Sequence, residues 1–391
     1  MGKVIKTVLG DIDPDKLGII SMYDQLIYDG ARECEALRAA MPSSFINMEK
    51  LPIELDEPVT LSNVGYLRRN ALLSLDAWRQ TDTAELTDEL KLYKRLGGES
   101  LLSESAGVMP DGLFSTGKIF LESLLNVDRA DSSMEDISFE KALSSKKIAE
   151  ASGVNIIETA GFLSPLLWND MLHGLLAPEY LRIVLNSIRL SPIEPGHLTL
   201  ALHRSKEDER EVLKAMVRAA LETGLSISII LGRAPEKELL EIEKTVEEEG
   251  LSRERIILSN LPIYRSVVRS KAISSPSSVA SDIALARRYL DKGYNISVCV
   301  PNQMSNELYG DYDIGDLMIF AGLLALVDKG YCDQIVLGGG VRGKIMLHDF
   351  GGEGYCRLLY YVIPMLRDTA ALSDLAIRAM TRENAVRILS V

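Results

Sequence analysis

Short apolar runs recur along the chain, and a longer segment of helical periodicity follows most of them. The runs are GIISM (18–22), ESLLS (99–103), NIIETAG (155–161), HLTLAL (197–202), SISIIL (226–231), RIILS (255–259), NISVCV (295–300) and QIVLG (334–338). Most are continuously apolar and several are β-branched, the pattern of parallel strands covered on both faces. Between them, AELTDELKLYKRLGG (84–98), KEDEREVLKAMVRAALETG (206–224) and EKELLEIEKTVEEEG (236–250) alternate an apolar stripe with a charged face and end at glycine. Eight strand–helix units predict the α/β class, as a (β/α)8 TIM barrel with loop insertions. A doubly wound open sheet is the alternative, because periodicity does not show closure.

The chain has 391 residues, more than the roughly 250 of a minimal barrel. The excess falls at about 108–136 and 261–281, which read as insertions within a single 1–391 domain. The longest apolar run, 317–327, is too short to span a bilayer and predicts a buried helix. The start has no apolar signal-peptide core.

Charge narrows the function classes. The net charge is −13, which argues against nucleic-acid or anionic-membrane partners, since both need a concentrated basic face. Four cysteines (Cys34, Cys299, Cys332 and Cys356) form no Cys-x-x-Cys pair and read as reduced thiols of a cytoplasmic protein.

Four stretches resemble the phosphotriesterase family of the amidohydrolase superfamily. They are TVLGDIDPDKLGIISMYDQL (7–26), NIIETAGF (155–162), HDFGGEGYCRLLYYVIPMLRD (348–368) and TRENAVRIL (381–389). The resemblance implies a barrel whose strand ends carry two divalent metals, such as zinc, sharing a hydroxide that attacks an ester, lactone or phosphotriester. In the family, two His on strand one, a carboxylated Lys on strand four, His on strands five and six and Asp on strand eight hold the metals. Here those positions match Tyr23 and Gln25, Thr199, Ile230, Asn260 and Gly340. None keeps the family's ligand, so no metal cofactor is expected.

Other pocket candidates are Asp24, Glu158, His203, Arg342, Lys344 and His348. The chain has four His. His203 and His348 follow strands and are the ones that a displaced metal site would draw on, whereas His197 begins a strand at the opposite end. GGGVRGKI (338–345) has P-loop spacing, but Ile345 stands where Ser or Thr is needed. Its glycines with Arg342 and Lys344 suggest an anion pocket instead. Asp311, Asp313 and Asp316 suit helix capping better than calcium. Glu158 is a strand acid that either is buried or pairs with a cation.

The expectation drawn from the changed ligands is a catalytically degenerate protein, a pseudoenzyme, that binds a small molecule in the barrel pocket or acts as a regulatory or structural subunit of an active paralogue. The family resemblance suggests a homodimer. The alternative is a hydrolase of esters, lactones or phosphotriesters with a rebuilt or displaced metal site, or a metal-free one using Tyr23, Asp24 and Gln25.

Overall fold

The computed structural model describes residues 2–40, 53–111, 113, 121, 124–125, 137–168, 170–203, 207–232, 234–263, 282–300 and 316–391. Most of the two expected insertions, and Asp311 and Asp313, lie outside the described residues.

Eight parallel strands form one sheet in sequential order: β1 (Ile19–Asp24), β2 (Gly98–Ser103), β3 (Asn155–Phe162), β4 (His197–Ala201), β5 (Ile227–Ile230), β6 (Ile256–Ser259), β7 (Asn295–Cys299) and β8 (Ile335–Gly338). Each coincides with one of the apolar runs. The sheet curls so that β8 returns to β1. There the Gln25 N–H donates to the Val341 carbonyl at 2.8 Å, and the Gly339 N–H donates to the Ser21 hydroxyl at 2.9 Å. Gly338 permits this seam, because a Cβ there would meet the Met22 carbonyl oxygen at 1.6 Å. The result is the expected (β/α)8 barrel, with helices outside.

The helices form where periodicity placed them. They include α1 (Ala31–Ala39), α2 (Thr83–Arg95), α3 (Glu140–Ser152), α4 (Ala177–Leu190), α5 (Glu207–Thr223), α6 (Pro235–Glu249), α7 (Ala284–Leu290) and α8 (Asp316–Val327). The apolar α8 buries Ile319, Phe320, Leu323 and Leu326. Its first residue, Asp316, pairs with Arg357 at 2.6 Å. No helix among the described residues is long and apolar enough to cross a membrane.

Two cores result. Helices pack on the sheet's outer face through a large apolar cluster. Inside the barrel, a smaller cluster of Ile20, Met22, Leu102, Ile157, Ile257 and Val336 fills the end where the strands begin. Ile5 and Leu17 plug that end together with Ile388 of the helix Asn384–Leu389. Filling the floor this way leaves the other end, where the strands finish, for a site.

Candidate active site

A cavity of about 640 Å³ opens at the C-terminal ends of the strands. Tyr23, Asp24, Gln25, Ile230, Asn260, Gly340, His203 and Arg342 all line it, together with Glu104, which the sequence reading did not single out. Leu163, Leu166 and Leu231 supply an apolar wall.

The strand end quoted as SMYDQL is built unusually. β1 continues through Tyr23 and Asp24 instead of stopping at Met22. Tyr23 has φ 86°, a left-handed backbone that costs a non-glycine residue about 1–2 kcal/mol. The register against β2 shifts between Met22 and Asp24. This bulge separates the two side chains. Tyr23 lines the cavity, while Asp24 engages the seam beside Ser21. The Asp24 carboxylate accepts from the Ser21 hydroxyl and, at 2.8 Å, from the Val341 N–H. Burial pushes its pKa up to about 6, against the pull of those hydrogen bonds. Asp24 therefore ties β1 to the loop after β8.

Tyr23 and Asn260 occupy two of the positions matched to metal ligands, and their side chains share a hydrogen bond. Asn260 also has a left-handed backbone, with φ 60°. Burial raises the Tyr23 pKa, so the phenol keeps its proton. Gln25 is held by its backbone: its carbonyl accepts from Gln80 Nε2 at 2.6 Å and from the Tyr355 hydroxyl at 2.8 Å. Its side-chain Oε1 is buried without a partner among the described residues.

Arg342 brings positive charge to the cavity. Among the described residues no carboxylate forms an ion pair with it. Glu33, which also lines the cavity, is engaged by the Tyr28 hydroxyl at 2.5 Å. Burial would lower the Arg342 pKa, but the surrounding Tyr23, Glu33, Cys299 and Tyr28 raise it overall. Cys299, at the end of β7, is held as a neutral thiol by burial.

Of the remaining sequence candidates, only His203 lines the cavity. Thr199 sits within β4, completely buried, and its hydroxyl has no partner among the described residues. Glu158 faces α3, where it accepts from Ser145 at 2.6 Å and lies beside Lys141, whose pKa is lowered chiefly by burial. Lys344 turns away to Asp76 at 3.1 Å. The His348 side chain is mostly exposed, and its backbone N–H donates to Glu89. His203 lines the cavity, with its backbone N–H donating to Glu209 at 3.0 Å.

Glu104 is 2% exposed and directly follows β2. Burial pushes its pKa up to about 8, partly offset by a hydrogen bond from Ser228. A sequence signal existed: a carboxylate directly after an apolar strand is placed as Tyr23 is. It escaped notice because it matches no ligand position of the family.

The donors present do not fit a binuclear metal centre. The described residues contain no cluster of three or more His, Cys, Asp or Glu able to hold an ion. Tyr23 is a protonated phenol bonded to Asn260, Ile230 and Gly340 offer no side-chain ligand, and Gln25 and Asn260 are neutral amides.

The comparisons with known proteins bear on both fold and activity. An N-acetyltaurine hydrolase from Salmo salar is 24% identical over 387 residues, spanning 93% of this chain and 91% of that protein. A resiniferatoxin-binding protein from Rhodobacter sphaeroides shares the fold with a TM-score of 0.73 at 19% identity, covering 99% of this chain and 94% of the other. A lactonase from Listeria monocytogenes does so with a TM-score of 0.66 at 17% identity, covering 99% and 98%. At those identities the solved structures speak to the fold alone.

The expectation of a catalytically degenerate pseudoenzyme is corrected by the first comparison, because the relative matched over nearly its whole length is named as a hydrolase. The physical reason is visible in the cavity. The cavity holds a buried acid, Glu104, and a cation, Arg342. Residues 315–389 match the model of the phosphotriesterase family, the family that the four stretches quoted from the sequence resemble.

Proposed function

We propose that the protein is a hydrolase that cleaves an acyl bond, an amide or an ester, in a small substrate carrying an anionic group. The observation that carries this reading is Arg342: a guanidinium with no ion pair among the described residues, in a cavity that apolar side chains also line. Its guanidinium offers a fork of donors to a sulfonate or carboxylate. Leu163, Leu166 and Ile230 receive the apolar acyl end. The Tyr23 hydroxyl and the Asn260 amide are neutral donors suited to the acyl oxygen as it gains charge. The name of the Salmo salar relative supports the same substrate shape, an acetyl amide at one end and a sulfonate at the other.

The test is a panel of N-acyl amino sulfonates, N-acyl amino acids and uncharged esters, with acid release measured for each. Anionic amides are expected to be turned over in preference to the uncharged esters. Arg342→Met is expected to raise KM about 10- to 100-fold, the worth of a hydrogen bond to a charged group. Equal turnover of charged and uncharged substrates, or an unchanged KM in the variant, rules the reading out.

A further inference from the structure

Beneath the cavity lies a polar chain that substrate binding leaves unused. The Glu104 carboxyl reaches across the barrel interior from β2 to β5, where the Ser228 hydroxyl donates to it. Ser228 Oγ is 2.9 Å from His197 Nε2, and His197 Nδ1 is 2.8 Å from Ser226 Oγ. All four side chains are buried.

With Glu104 ionised, the chain has one consistent direction. Ser228 has a single hydroxyl proton and gives it to the carboxylate. His197 must then carry its hydrogen on Nε2 and donate to Ser228, while Nδ1 accepts from Ser226. Burial, helped by Arg255, lowers the His197 pKa to about 3, so the ring is neutral and fixed in this tautomer. His197 therefore orients Ser228, and Ser228 orients Glu104.

The far end of the chain is open. Glu104 Oε2 is buried, lines the cavity and has no hydrogen-bond partner among the described residues. One more oxygen shares this condition, Gln25 Oε1 on the cavity wall. Buried polar atoms are almost always paired, so two unpaired ones on the wall of a hollow mark a place for a ligand's polar atoms.

We propose that Glu104, held in place by Ser228 and His197, moves the proton in hydrolysis, so that this barrel works without its family's metal pair. The proposal rests on the hydrolase reading above. As a carboxylate, Glu104 takes one proton from a water whose oxygen bonds to the acyl carbon. It then passes that proton to the leaving nitrogen or oxygen as the acyl bond breaks and its electron pair departs with the leaving atom. The water's OH ends on the acid and its H on the amine or alcohol, and Glu104 returns to its starting state. Glu104 is the catalytic residue, whereas Ser228 and His197 are positioning residues.

The experiment uses the full chain after dialysis against a chelator, with metal content measured. Turnover of the anionic amides is expected to persist, and kcat/KM to rise with pH to a plateau above about pH 8, where the carboxylate dominates. Glu104→Gln should lower kcat about 100- to 10,000-fold, with KM little changed. Ser228→Ala removes the donor that favours the carboxylate, so it should move the rising limb to higher pH, which a purely structural defect would not do. Infrared difference spectra follow the protonated Glu104 carbonyl band without any substrate, and that titration should shift upward in Ser228→Ala even if Glu104→Gln does not fold. Activity lost on chelation and restored by zinc overturns the proposal and leaves the hydrolase reading standing. So does an unmoved infrared titration in Ser228→Ala. Absence of turnover across the whole panel overturns the hydrolase reading itself, and the proposal with it.

Discussion

The two ends of the barrel are built on opposite principles. At the floor, Ile20, Leu102, Ile157, Ile257 and Val336 interlock with Ile5, Leu17 and Ile388. At the mouth, Tyr23, Ala106 and Asn260 adopt left-handed backbones, and Glu104 and Gln25 carry polar oxygens without partners among the described residues. One end gains free energy by burying apolar surface. The other holds strain and unmet hydrogen bonds, and such features collect where a protein handles ligands. Only the floor's stability makes the mouth's arrangement affordable, so substitutions at the two ends should part company.

Ile157→Ala at the floor should produce the largest loss of stability, about 2–5 kcal/mol by denaturant unfolding, because it leaves a cavity in a closed core. Substrate KM should hardly change in the folded fraction. A KM change that matches that of Arg342→Met would erase the distinction between the ends.

Next comes Glu104→Gln, whose effect on stability depends on pH. In the folded state Glu104 has a pKa near 8, above its ordinary 4.5. The folded state therefore binds its proton more tightly than the unfolded state does. Between about pH 4.5 and pH 8 that excess proton is lost as pH rises, so Glu104 makes the fold progressively less stable across this window. Replacing it with Gln should flatten that dependence and stabilise the protein at pH 9 by up to about 5 kcal/mol, measured by urea unfolding at several pH values. A variant that is more stable but inactive would set the mouth apart from the floor, whereas a variant less stable at every pH would return Glu104 to an ordinary core role.

The smallest effect is expected at Ala106, which is fully buried with φ 52°. Ala106→Gly relieves a left-handed backbone, worth about 1–2 kcal/mol, and loses one buried methyl, worth about 0.8 kcal/mol. The melting temperature should stay level or rise slightly. A clear fall would mean that the methyl's packing outweighs the strain at this strand end.

Much of this was legible in the sequence, and what was not has physical causes. Continuous apolar runs located all eight strands, because strands covered on both faces have no polar side to confuse the pattern. Flanking motifs brought Tyr23 and Gln25 to the cavity. Arg342 and Lys344 show the limit. They are two residues apart, yet one lines the cavity and the other pairs with Asp76. A loop has no periodicity from which to assign facing. Glu158 and Glu104 make the same point on strands. Glu158, in β3, faces a helix, whereas Glu104, one residue beyond β2, faces the cavity. Facing follows alternation along each strand, and the bulge at Tyr23 shows how one irregular residue resets it. The polar chain through Ser228 and His197 was out of reach, because its members meet only after β2, β4 and β5 curl around one axis.

The contact between Tyr23 and Asn260 also has a mechanical side. It joins the ends of β1 and β6, strands well apart around the ring, across the opening of the cavity. Shared metal ions would rivet the same strand ends. Here the tie is a single hydrogen bond, worth about 1 kcal/mol net. The width of this barrel's doorway is thus left to a contact that a bound molecule can itself compete for.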